Sequence, residues 1–262
     1  MRSLWRGALS FGLIHIPVRL YSAVHTHELK FKMLHKKDLS EIRYARICKA
    51  DGKEIPWSDI VKGYELEKGD YVILTEEDFE KASLKKSKTI EIFEFTHQDE
   101  IDTMYYDTPY YLEPEKGAEK AYALLRESLA QSNKVAVANF VFHHREHLGV
   151  IKPHESLLVF NTLRYQSEVV NPKELNIKAL KLPKQEVDVA LQLIEELTKP
   201  FVPKNYADTY VEEVKALIKR KSKGQKTHVK KAEAPSPKIH DIMSLLKESL
   251  QESKKKKKRK SA

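Results

Sequence analysis

The chain has 262 residues, 47 Lys+Arg against 38 Asp+Glu, and a net charge of +9. Residues 1–210 hold 30 basic and 32 acidic side chains and residues 211–262 hold 17 and 6, so a near-neutral body precedes a strongly basic tail. A hydrophobic fraction of 41% supports a packed core, no apolar run approaches the ~20 residues of a membrane span, and a single cysteine, Cys48, excludes an internal disulfide framework.

The first stretch, MRSLWRGALSFGLIHIPVRLYSA, has a basic front and some apolar character. Gly7, Gly12, His15 and Pro17 interrupt it and no small-residue cleavage site follows, so it does not read as a secretory signal. Within it Ile14, Ile16, Val18 and Leu20 alternate with polar residues, the period of a half-buried strand. Pro17 predicts that this strand lies at an edge or carries a bulge. Further strands are expected over 30–34, 42–47, 71–75, 88–95, 135–144 and 156–163. Short strands broken by charged or Gly/Pro turns point to an all-β sheet or barrel as the centre of the body.

Helices interrupt and then close this body. Thr75-Glu-Glu-Asp78 opens a short one with a capping-box-like start. Residues 116–131 carry Ala121, Leu124, Leu125 and Leu129 on one stripe. Pro183 begins the next helix, with Val187, Ala190, Leu191, Ile194 and Leu197 on one face. Pro200 and Pro203 stop it, and Asp208 caps a last helix whose apolar face is Val211, Val214, Leu217 and Ile218. Beyond Arg220 the composition loses its core-forming residues and predicts disorder. One amphipathic segment, 238–250, sits inside this tail and is too short to be stable alone. The expected organisation is a core over 1–182, a helical arm over 183–221 and a Lys-rich tail over 222–262.

Catalytic signatures are weak. His143-His144-Arg145-Glu146-His147 matches H-x-x-E-H, an inverted zinc-peptidase motif. Its mechanics need a helix; on a strand, positions four apart lie ~13 Å apart, too far to share a zinc. The polar end of a strand is the better reading. Cys48-Lys-Ala-Asp51-Gly52 resembles half of a metal knuckle with Asp in place of a second Cys, and one thiolate does not build a zinc site. No P-loop, G-x-S-x-G or dinucleotide fingerprint occurs. The sequence therefore predicts no catalytic residue, no metal and no cofactor.

Charge placement is more informative. Lys254, Lys255, Lys256, Lys257, Lys258, Arg259 and Lys260 suit a duplex phosphate backbone or another anionic surface. In the body, Lys30, Lys32, Lys36, Lys37, Arg43 and Arg46 form the densest basic stretch. Aromatic–basic interleaving of the single-strand-reading kind is not evident, so such a surface is expected to grip backbone and ignore sequence.

Many collinear blocks then resemble the bacterial Ku family. They include residues 1–23, IRYARIC (42–48), DIVKGYE (59–65), SKTIEIFEF (87–95), IDTMYYDTPYYLEP (101–114), EKAYALLRESL (119–129), REHLGVI (145–151), LRYQSEV (163–169) and DTYVEEVKALI (208–218). The resemblance covers about residues 1–220. It implies a mainly β fold with α: a β-barrel core, a C-terminal helical arm and a disordered basic tail, assembled as a ring-forming homodimer around duplex DNA. It also implies binding of double-strand ends and recruitment of an ATP-dependent DNA ligase for non-homologous end joining, in the cytoplasm at the nucleoid. Many members of that family carry Cys-x-x-Cys where this chain has Cys48 and Asp51, a departure that puts a metal there in question. On this footing Lys32, Lys36, Arg43, Arg46 and Arg145 are expected to line the ring, with residues 254–260 adding phosphate grip. Leu191, Ile194 and Leu197 are expected at the dimer interface, and Tyr206, Asp208 and Tyr210 at the ligase. The alternatives are a histone-like architectural protein acting through its tail, and the H-x-x-E-H peptidase.

Overall fold

A computed structural model describes residues 1–25, 29–82, 88–142, 145–224, 243 and 245–252. The chain forms two compact units, Met1–Pro172 and Lys173–Ala262.

The strands of the first unit are β1 (Trp5–Phe11), β2 (Ile14–Ser22), β3 (Lys62–Glu67), β4 (Asp70–Leu74), β5 (Thr89–His97), β6 (Tyr106–Pro114), β7 (Lys134–Phe142), β8 (Arg145–His154) and β9 (Leu157–Leu163). Seven of them close a barrel in the order β1-β2-β6-β9-β8-β7-β5. Neighbours run antiparallel except β1 and β5, whose parallel pairing closes the ring. The inward set of β2 is Ile16, Val18 and Leu20, all fully buried. Burial of each such side chain contributes ~1.5–3 kcal/mol relative to exposure. Phe140 sits among Trp5 and Phe160, both edge-on at 5.0 and 5.5 Å, and Phe142, stacked at 5.4 Å. Gly149 makes room for this cluster, since a Cβ there would lie 2.4 Å from Phe160 and 2.7 Å from the Asn161 carbonyl oxygen.

Pro17 corrects the edge-strand expectation. β2 is flanked on both sides, by β1 and β6. Pairing with β6 begins at Val18, opposite Pro114, so the missing N–H of Pro17 falls just beyond the ladder. Its carbonyl still accepts from Glu115 N at 2.9 Å.

α2 (Glu119–Ser132) packs against the barrel through Tyr122, Leu125 and Leu129. The Tyr122 hydroxyl donates to Leu112 O at 2.5 Å and accepts from Leu158 N at 2.6 Å, tying the helix to β6 and β9. Leu124, expected on the core stripe, is exposed; the buried stripe centres on Tyr122 instead. Asn133 ends the helix in the left-handed region, φ 53°.

Between β2 and β5 the chain leaves the barrel. The expected strands over 30–34 and 42–47 are absent: single bridges, Leu34 to Glu41 and Ile47 to Glu54, replace continuous ladders. β3 and β4 form a two-stranded hairpin of their own. α1 (Glu76–Ala82) follows, with Asp78 N donating to Thr75 Oγ1 at 3.3 Å and Thr75 N to Asp78 Oδ2 at 2.9 Å, the reciprocal cap its sequence predicts.

The second unit carries α3 (Lys184–Leu197), preceded by Pro183, and α4 (Thr209–Ser222). Asp208 caps α4 by accepting from Val211 N at 3.1 Å. Residues 245–252 are helical, and residues 253–262 lie outside the described set. No described helix is long and apolar enough to cross a membrane.

Candidate nucleic-acid interface

The excursion between β2 and β5 concentrates the cations. Its first half folds as two short turn-closed loops. His35 N donates to Ser40 O at 2.8 Å and Ile42 N to Met33 O at 3.0 Å, bringing residues 33–35 against 40–42. Cys48 N donates to Lys53 O at 2.9 Å and Ile55 N to Arg46 O at 2.8 Å, closing the second loop around Gly52, φ 72°. Only glycine adopts that backbone without strain.

Each loop carries one carboxylate that organises it. Asp38 accepts from Ser40 N at 3.1 Å, Ser40 Oγ at 2.8 Å and pairs with His35 Nδ1 at 3.0 Å. Asp51 accepts from Lys53 N at 3.2 Å. That backbone bond, then the Cys48 thiol, holds the Asp51 carboxyl below its ordinary pKa. One thiol and a carboxylate already hydrogen-bonded within its own turn do not build a thiolate metal site. Among the described residues no three His, Cys, Asp or Glu side chains converge as a metal-binding group.

The expected ring-lining residues divide. Lys36 is exposed in the first loop. Lys32 pairs with Glu41, and Arg43 lies 3.8 Å from Glu54. Both pairs are exposed, so each contributes ~0–1 kcal/mol and leaves the cation available to a phosphate. Arg46 sits with its guanidinium 4.4 Å from the Trp57 ring centroid. Arg145 is not in this excursion; it opens β8, opposite Phe142 of the barrel.

Two cations that sequence reasoning missed stand on the barrel wall. Arg6 and Arg19 are directly opposite in the β1–β2 register, an arrangement of like charges that costs stability unless neutralised. Glu115 bridges them, accepting from Arg6 Nη2 at 2.8 Å and Arg19 Nε at 3.1 Å. The Arg6 hydrogen bond above all holds the Glu115 carboxyl below its ordinary pKa. Their sequence signal was the alternation of β1 and β2, whose outward positions they occupy.

The peptidase motif does not assemble in the described part. Glu146 and His147 are successive residues of β8, opposite Val141 and Phe140, so they point to opposite faces of the sheet. His143 and His144 lie outside the described residues, as do residues 254–260. In the second unit, Leu191, Ile194 and Leu197 are 56%, 61% and 58% exposed, an apolar helix face without cover. Tyr206 stacks on Phe201 at 5.2 Å, Asp208 serves as the α4 cap, and Tyr210 is open to solvent. Phe201 was not anticipated; only its stacking on Tyr206 reveals it.

Comparison with known proteins fits this architecture. A family profile described as Ku70/Ku80 beta-barrel domain matches residues 10–189. The chain is 41% identical over 257 residues to the non-homologous end joining protein Ku of Opitutus terrae, covering 95% of this chain and 91% of the relative. It is equally 41% identical to that of Pseudomonas aeruginosa, covering 95% and 88%, and 37% identical to that of Archaeoglobus fulgidus, covering 94% and 96%. With a closed β-barrel, a profile match across most of the chain and relatives aligned nearly end to end, the chain belongs to the Ku family.

Proposed function

We propose that this chain binds double-stranded DNA ends as a homodimeric ring, without reading sequence, and brings an ATP-dependent DNA ligase to them in non-homologous end joining. The observation that carries the reading is the excursion over 23–88. It leaves a closed barrel, bears the densest cations of the body, and keeps residues such as Phe31, Ile47 and Tyr64 out of the core. One copy leaves these side chains in water; a second copy and a duplex give them partners. Lys32, Lys36, Arg43, Arg46 and Arg145 then supply phosphate contacts, and residues 254–260 add non-specific grip. The open face of Leu191, Ile194 and Leu197 serves the dimer. Tyr206, Asp208 and Tyr210, with Phe201, serve the ligase.

In this reading preference for ends comes from shape, because a closed ring threads onto duplex only at a terminus. No step requires a cofactor or a catalytic group. The test compares linear duplex with covalently closed circular duplex of identical sequence in a competition assay. The linear form is expected to compete at least a hundredfold better per molecule. Equal competition by the circle removes the ring and favours an architectural protein that coats duplex.

A further inference from the structure

The mouth of the barrel beside α2 is not filled. On the inward row of β7, Ala136, Ala138 and Phe140 are buried in the core. By the two-residue period of a strand, that row begins at Lys134, the first residue of β7. Phe95 stands opposite Ala136 in the β5–β7 register and shares its side of the sheet, yet it is 46% exposed. Phe11 and Ile14 are the last pair of the β1–β2 hairpin. These positions mark where the barrel interior meets solvent. α2 leans on β7 and β8, and a cavity of about 440 Å³ opens between it and the β1–β2 turn. Small-molecule sites have volumes of ~300–1,000 Å³ and favour the mouths of β-barrels.

The lining is chemically divided. Phe11, Ile14, Phe95, Leu124, Leu125 and Leu129 make most of it, and Leu124 is 65% exposed. The polar groups come from one short stretch, Ser128, Ser132 and Lys134, where α2 ends and β7 begins. Ser132 Oγ donates to Leu129 O at 3.3 Å, so its proton is already engaged. Among the described residues Lys134 is the only charged side chain of the lining. It is exposed, so its ammonium bears no burial cost and is open to an anion. Glu100 feels that charge least among the influences on it; its carboxylate is held in its own turn by Thr96 Oγ1 and by His97 N.

An occupant has to cover apolar side chains that face water, which calls for hydrocarbon. It has to meet one positive charge at the rim, which calls for a single anionic head. A duplex offers phosphates without hydrocarbon and has no use for such a cavity. We infer that the barrel mouth binds an alkyl monocarboxylate of medium chain length. Its chain lies between α2 and the β1–β2 turn, and its carboxylate meets Lys134. The site is separate from the cation-bearing excursion and does not rest on end binding.

The experiment titrates the full chain with octanoate, hexanoate and octanol by isothermal calorimetry. Octanoate is expected to bind at one site per chain, and hexanoate, two methylenes shorter, about fifteenfold more weakly. Octanol, with the same chain and no charge, is expected to bind about fivefold more weakly. Lys134→Met keeps the stem and removes the charge. It is expected to bring octanoate down to the affinity of octanol and to leave octanol within about twofold. Ser128→Trp, at an exposed position of α2, places an indole in the cavity and is expected to abolish binding of both; Lys134→Met decides the matter where that variant does not fold. Absence of octanoate binding by the unaltered chain overturns the site. Octanoate binding that Lys134→Met leaves unchanged also overturns it, by removing the carboxylate from this mouth. A peptide of residues 238–250 that displaces octanoate and binds more tightly overturns it as well, by assigning the mouth to the chain's own tail.

Discussion

Glu115 shows how much a single side chain decides. It lies between Arg6 and Arg19, which face each other across β1 and β2. Without it, two like charges stand on neighbouring strands at the seam where the barrel begins. Its folded pKa is lowered, first by the hydrogen bond from Arg6. A group with a lowered folded pKa contributes stability above its unfolded value, and that contribution is lost as pH falls through the folded value. Glu115→Gln is therefore expected to lower Tm at pH 7, with the gap to the unaltered chain closing as melts are taken towards pH 3. A gap that stays constant with pH would assign the loss to packing. None of this was legible beforehand: Arg6, Arg19 and Glu115 are far apart in sequence, and only barrel register brings them together.

The elements that were legible are those whose pattern is local. Five expected strands correspond to β2, β4, β5, β7 and β9, with alternation clearest in β2; the Thr75/Asp78 and Asp208 caps placed the starts of α1 and α4. β1, β3, β6 and β8 were missed. β6 reads YDTPYYLEP and β8 reads REHLGVIKPH, both with proline and with polar residues where alternation breaks, and their pairing partners rather than their own propensity make them strands. The opposite error fell on residues 30–34 and 42–47, which have strand-like composition but only isolated bridges. α3 is an element whose apolar face is legible but whose partner is not. Charging that face with Leu191→Glu and Ile194→Glu is expected to leave the barrel's near-ultraviolet circular dichroism intact. The same change should weaken self-association at least a hundredfold by analytical ultracentrifugation. A variant that still sediments as a dimer would remove this face from the interface.

For the whole molecule the question is how charge is divided. The body is nearly neutral and the last fifth strongly basic, yet the body holds the shaped part, a barrel with a cation-bearing excursion. Truncation after Lys221 is expected to keep the preference for linear over circular duplex. It should also make the dependence of log K on log salt shallower by several units, because each phosphate contact adds ~0.9 to that slope. Titrations across a range of salt concentrations check both; loss of end preference in the truncated chain would place specificity in the tail.

By itself the sequence determined the buried Ile16, Val18 and Leu20 of β2 (though not the exposed Ile14), the caps of α1 and α4, and membership of the Ku family through its collinear blocks. These follow from local periodicity, from capping chemistry within a few residues, and from similarity along the chain. Tertiary structure decided the rest. It made Pro17 acceptable inside a closed barrel, put Glu115 between two arginines, and moved the core stripe of α2 onto Tyr122. It also laid Arg46 over the Trp57 ring. Each of these depends on strand register and long-range pairing, which join residues that no local pattern links.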